Sequence, residues 1–191
     1  MDATHYYSVR IDAQNGAFLN KLTGLNPETY QNFVFTSDGK YLIGMGNDEN
    51  TLNVWNISTG NIERSIKYSN YRSSPHISIA PGDKTLAIID SSGLILYSLT
   101  TGEVIDKLAI RTLSSGNLKF SPDGKNLVAT SDKTVYIFNT TNGISTNFCN
   151  LESEIVGIEF NNTGSILGVV TKSNVATFNL NTTLNTALFS L

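Results

Sequence analysis

The chain has 191 residues, a formal net charge of −3 and a pI near 5.3, so it offers no basic footprint for nucleic acid. Hydrophobic residues make up 40% and charged residues 15% of it, a mixture that suits many short strands joined by polar turns rather than helices. Its one cysteine, Cys149, excludes an internal disulfide framework and a cysteine-based zinc site, and no apolar stretch approaches the ~18 residues of a membrane span.

From the N-terminus, Met1-Asp2-Ala3-Thr4-His5 lacks the basic start and apolar run of a signal peptide. With the lone thiol, this predicts a cytoplasmic or nuclear protein. Thereafter two markers recur. The first is an apolar strand end followed by a tight turn: Val34-Phe35-Thr36-Ser37-Asp38-Gly39-Lys40, then Ser78-Ile79-Ala80-Pro81-Gly82-Asp83-Lys84. It returns as Lys119-Phe120-Ser121-Pro122-Asp123-Gly124-Lys125 and as Glu159-Phe160-Asn161-Asn162-Thr163-Gly164-Ser165. The second is an aromatic, a small polar residue and a turn, at Trp55-Asn56, Tyr97-Ser98, Phe138-Asn139 and Phe178-Asn179. With Gly39, Asp83, Gly124 and Gly164 as equivalents, both markers keep a period of about 40 to 44 residues, the length of one four-stranded propeller blade.

Four strands per period are predicted between the turns. In the third complete repeat they fall near Asn117–Ser121, Asn126–Thr130, Thr134–Asn139 and Ile144–Asn150; in the last, near Val156–Phe160, Ile166–Val170, Asn174–Leu180 and Thr186–Ser190. Val135-Tyr136-Ile137-Phe138 and Leu94-Ile95-Leu96-Tyr97 are apolar without alternation, so both faces of those strands want burial. A blade between two neighbouring blades provides it. The segment Ser8–Leu19 aligns with the latter half of a repeat, with Asp12 where Asn56 and Asn139 fall. It reads as the two outer strands of a blade whose inner two are absent.

The expected fold is therefore all-β, a propeller of four-stranded antiparallel blades with four complete blades and an N-terminal half blade. A single domain spans 1–191, with the half blade at 5–24 and blades near 30–68, 75–110, 115–151 and 154–191. Such a set could be part of a larger propeller, could complete its ring with another chain, or could close as a small irregular ring.

The turn Phe120-Ser121-Pro122-Asp123-Gly124-Lys125, the strand end Val54-Trp55-Asn56 and the turns Thr59-Gly60 and Thr101-Gly102 resemble the WD-repeat family and its YVTN and quinoprotein-like propeller relatives. The resemblance runs through nearly the whole chain. It implies a propeller and, as function, a binding scaffold. The Trp-Asp dipeptide itself is absent, as is the family's Gly-His pair before each first strand, with His76 too close to Ile79 to supply it. Asp132 and Thr134 fit the family's Asp-x-Thr turn. The buried Asp–His–Ser–Trp network is thus not expected, and rigidity should come from apolar packing.

Catalytic chemistry finds little support. Asp38, Asp83 and Asp123 look like one repeat position, each in its own blade's turn, and so are read as turn formers. His5 and His76 are too scattered for a metal site, and Cys149 reads as a half-buried structural thiol. No glycine-rich phosphate loop occurs. The sequons at Asn56, Asn139, Asn161 and Asn181 coincide with repeat turns. A lactonase- or hydrolase-type propeller enzyme would need Asp, Glu, His or Asn at inner-strand ends, which are instead mostly Ser, Thr, Ala and aliphatic. No cofactor is expected.

The inter-blade loops are the better candidates. The loop from Lys67 to His76 is longer than its counterparts and carries Tyr68, Tyr71 and Arg72, residue types that anchor interfaces. The resemblance implies that Arg111 and Glu152 or Glu154 share that rim. The expectation is a non-enzymatic scaffold docking a partner protein or peptide through Tyr68, Tyr71, Arg72 and Arg111, with no direct contact to nucleic acid or membrane.

Overall fold

The computed structural model describes residues 8–11, 14, 17–22, 33–46, 50–69, 75–90, 93–108, 116–142, 145–181 and 188–189. Among them there is no helix, only strands and turns. A two-stranded hairpin, β1 (Ser8–Ile11) and β2 (Phe18–Leu22), precedes four four-stranded antiparallel sheets. Blade 1 comprises β3 (Val34–Phe35), β4 (Tyr41–Met45), β5 (Thr51–Asn56) and β6 (Ile62–Lys67). Blade 2 comprises β7 (His76–Ile79), β8 (Thr85–Asp90), β9 (Gly93–Ser98) and β10 (Val104–Leu108). Blade 3 comprises β11 (Leu118–Phe120), β12 (Asn126–Ser131), β13 (Thr134–Asn139) and β14 (Ser145–Asn150). Blade 4 comprises β15 (Ile155–Phe160), β16 (Ile166–Thr171), β17 (Val175–Asn179) and β18 (Leu188–Phe189). Each blade is a simple meander in chain order, and β7 touches the first strands of the blades on either side of it, β3 and β11. The expected all-β propeller array is what the chain forms.

The turn that marks each repeat joins a blade's first two strands, and a left-handed residue closes it: Gly39 (φ 66°), Gly124 (φ 72°) and Gly164 (φ 72°). In blade 2 that place is taken by Asp83 (φ 56°), preceded by Gly82 (φ 85°). Asp83 therefore does not share the position of Asp38 and Asp123, as its sequence neighbourhood suggests, but sits one residue later. The displacement gives its carboxylate a different task. Asp38 and Asp123 bond within their own turns, to the Thr36 and Ser121 hydroxyls at 2.8 and 2.6 Å. Asp83 instead accepts from the Ser37 backbone N–H at 2.9 Å and the Ser37 hydroxyl at 2.5 Å, across to blade 1.

Strand parity decides which neighbour each residue meets, because successive side chains leave opposite faces. On blade 1, Ile43, Leu52, Val54 and Ile66 meet Leu86, Ile88, Ile95 and Tyr97 of blade 2. Ala87, Ile89 and Leu94 of blade 2 meet Phe120, Leu127, Ala129 and Phe138 of blade 3. Val128, Val135 and Ile137 of blade 3 meet Phe160, Leu167, Val169, Ala176 and Phe178 of blade 4. The unalternating runs at 94–97 and 135–138 are thus covered from both sides. On the other face of blade 1, Leu42 and Trp55 are covered by Leu22 of the β1–β2 hairpin. That hairpin occupies the place of a preceding blade, as its alignment with the latter half of a repeat implies.

Polar links join the blades where the strands approach the axis. The Ser78 hydroxyl accepts the buried Phe120 N–H at 3.1 Å, and the Lys119 ammonium meets Glu159 at 2.5 Å. The turns themselves stack in sequence, Pro81 against Gly124 and Pro122 with Asp123 against Gly164. A Cβ built at Gly164 would lie 3.3 to 3.4 Å from Asp123, Ser121 and Pro122, so the small residue sets the spacing of that step.

Candidate functional site

A cavity of about 320 Å³ lies where the first strands of the blades converge. Its wall takes Phe33 and Val34 from blade 1, His76, Ile77 and Ser78 from blade 2, Asn117, Leu118 and Lys119 from blade 3, and Ile158 from blade 4. Residues from every blade's first strand or its entry place the cavity on the axis about which the blades turn.

The repeat explains how these side chains come together. Counted back from the turn, Phe33, Ile77, Leu118 and Ile158 are equivalent, and so are Val34, Ser78, Lys119 and Glu159. The first set gives the cavity an apolar tier. In the second, two blades contribute opposite charges, and the Lys119–Glu159 pair ties the wall of blade 3 to blade 4. His76 and Asn117 precede these tiers at the end of the blades that carries the inter-blade linkers. The Asn117 backbone N–H donates to the Thr130 hydroxyl at 2.9 Å, which fixes the entry to β11. Gly116 just before it admits no side chain, since a Cβ there would fall 1.7 Å from the Thr130 carbonyl oxygen.

Chemically, the cavity offers hydrogen-bond donors above an apolar floor. Burial lowers the pKa of His76 below its ordinary 6.5, so its ring is neutral at pH 7 and can either donate or accept. Beside the small and aliphatic residues expected at the inner-strand ends, His76, Asn117 and Lys119 also line the cavity. A signal for them was present in the sequence, because Lys119 and Glu159 stand 40 residues apart at one repeat position. Among the described residues, no group of three or more His, Cys, Asp or Glu is placed to hold a metal ion. Cys149 is half-buried, and burial pushes its thiol up to about 11.

The structure treats the rim residues unequally. Tyr68 is not the exposed anchor its loop suggests. It is 6% exposed and packs with Ile66 in the interface between blades 1 and 2, its backbone N–H bonded to the Asn50 carbonyl at 3.0 Å. The reason is parity: Tyr68 follows Ile66 by two residues and continues the face that meets blade 2. Tyr71, Arg72 and Arg111 lie outside the described residues. Glu154 pairs with Lys172, and Glu152 is exposed.

The blades, their period and the axial cavity define a β-propeller array. Residues 107–139 match the family "WD domain, G-beta repeat", a stretch that runs from the end of β10 through β13 and so covers the turn at Pro122 and the Asp132-x-Thr134 corner. No curated protein matches the sequence. Among solved structures, the chain resembles the hydrazine synthase of Kuenenia stuttgartiensis with a TM-score of 0.64 at 14% identity, over 82% of this chain and 48% of that one. The chain therefore spans about half the length of that structure, and at this identity the likeness is one of fold alone. Among the described residues, no helix is long and apolar enough to cross a membrane.

Proposed function

We propose that the chain is a non-enzymatic interaction scaffold that docks a partner protein or peptide on the end of the blades carrying the inter-blade linkers. The observation that carries this reading is the match of residues 107–139 to the WD domain, a repeat whose general role is protein interaction. The axial cavity adds support, because His76 and Asn117 stand at that same end and give a partner polar groups to engage beside an apolar floor. Tyr71, Arg72 and Arg111, in the inter-blade linker sequences, are the proposed anchors, while Tyr68 holds two blades together.

The test is affinity capture with the wild-type chain and a Tyr71→Ala/Arg72→Ala variant. Partners held by the wild type should be lost by the variant; if every partner stays bound, the anchor assignment fails. A second reading, a small-molecule site of the lactonase or hydrolase kind, is favoured by the donor set of His76, Ser78, Asn117 and Lys119 alone. Metal analysis of the purified protein, with ligand screening against a His76→Ala/Lys119→Ala variant, separates the two. Bound metal, or a ligand lost on that substitution, favours the second reading.

A further inference from the structure

The face of blade 1 opposite blade 2 is only half covered. Its outer part is closed: Trp55 is 0% exposed and Leu42 8%, beneath Leu22 of the hairpin. Its inner part is open. Phe35 is 60% exposed and Phe33 40%, whereas Phe120 and Phe160, which occupy the position of Phe35 in blades 3 and 4, are 6% and 7% exposed. In blade 3, Phe120 packs on Ala87 and Ile89 of the second strand of the blade before it. In blade 4, Phe160 packs in the same way with Val128. Phe35 has no such strand to meet, because among the described residues the preceding sheet consists of β1 and β2 alone.

The same sheet presents a pairing edge. In every complete blade the third strand pairs antiparallel with the second, as β5 with β4 and β13 with β12. The strand β1 corresponds to a third strand and pairs only with β2 among the described residues. Among the described residues this edge has no second partner, and the exposed Phe33 and Phe35 continue the face that Leu22 of the same hairpin closes at Trp55. A second copy of these 191 residues does not fit the gap. Its inner hairpins, β3–β4, β7–β8, β11–β12 and β15–β16, are all committed to their own outer strands.

We propose that the gap is the seat of a β-hairpin of the same repeat type presented by a partner polypeptide. Its second strand pairs antiparallel with β1, and its apolar face covers Phe33 and Phe35. The main-chain bonds along β1 supply affinity, and the two phenylalanines select for an apolar strand. This inference rests on the blade geometry and stands apart from the rim reading.

The hairpin of blade 3 itself, Asn117–Ser131, serves as the probe, fused ahead of Met1 of the full chain so that its effective concentration is high. Hydrogen exchange of the β1 amides and the thermal midpoint are measured with and without the fusion. The fusion should slow exchange at Ser8–Ile11 by about tenfold or more and raise the midpoint. Phe35→Asp in the fused chain should abolish both gains, and because Phe35 is largely exposed the variant keeps the fold of the unfused chain. Unchanged exchange at β1 would overturn the proposal, as would a gain that survives Phe35→Asp. So would sedimentation showing that the unfused chain is a dimer dissociated by Phe35→Asp, because a second copy would then cover the face.

Discussion

Asp38 shows how a turn residue acquires chemistry from its neighbours. The backbone N–H of Lys40, then the Lys40 ammonium and the Thr36 hydroxyl, hold its carboxyl at about 2 against an ordinary 3.8. The unfolded chain takes up the proton first as pH falls through 3.8, so the turn's contribution is complete above that value and is lost towards 2. A carbon-detected NMR titration should place the Asp38 midpoint near 2, and Thr36→Val should move it up. The half-buried ring of His76 behaves in the opposite chemical sense, its cation being the disfavoured form. Below 6.5 the unfolded chain protonates before the folded one, so stability should fall with pH from that point until the lowered folded value is passed. Denaturant melts at pH 7 and pH 5 test this, with His76→Gln expected to remove the part of the loss that the imidazole causes. Ser78 carries the simplest structural prediction: Ser78→Ala leaves the Phe120 N–H buried without its acceptor and should cost about 1–3 kcal/mol in urea unfolding.

At the scale of the strand, most of the fold was legible because two independent markers repeat and turn chemistry fixes where each hairpin bends. The expected strand at Thr134–Asn139 is β13 to the residue, and the strand near Ile166–Val170 gains only Thr171. What sequence reading missed was parity. A loop rich in Tyr, Asn and Ser looks uniformly exposed, yet Tyr68 extends the buried face of β6 for one more step. The axial residues escaped for a related reason, since His76 and Asn117 carry no motif and gain meaning only when four first strands are brought around one axis. Asp83 was counted both with Gly39, Gly124 and Gly164 and with Asp38 and Asp123, because Pro81-Gly82-Asp83 and Pro122-Asp123-Gly124 hold the same residue types in a different order; the turn bond from its N–H to the Ala80 carbonyl, matching those of the three glycines, places it with them. Parity also sets the cost of core substitutions. Phe138, 1% exposed between blades 2 and 3, should lose about 3–5 kcal/mol on Phe138→Ala. Val175→Ala, at 52% exposure on the open face of blade 4, should change stability far less. Parallel urea titrations of the two variants check the contrast.

On the scale of the whole molecule, the two end faces differ from the three internal ones. Blade 4 repeats the parity of its predecessors, but on the face where a following blade would sit it places Gly168, Val170, Val175 and Thr177, with Val170 43% exposed and Ile166 41%. The internal faces at the matching positions hold Ile43, Leu52 and Val54, or Val128, Val135 and Ile137, all 9% exposed or less. The terminal face is therefore thinner in apolar volume, and among the described residues the apolar packing falls into three blade-to-blade interfaces plus the Leu22–Trp55 contact.

The stacked turns near the axis, Pro81 on Gly124 and Pro122 on Gly164, give that arrangement a mechanical meaning. Each blade leans on the one before it through a contact of a few atoms, an apolar face and one or two polar links, and the four main core clusters each join adjacent units only. Under tension applied at the two ends of the chain, such an array yields as a row of separable leaves rather than as one block. Each leaf released adds the contour of one repeat, on the order of 140 Å for about 40 extended residues, so a force trace should climb in steps that count the blades.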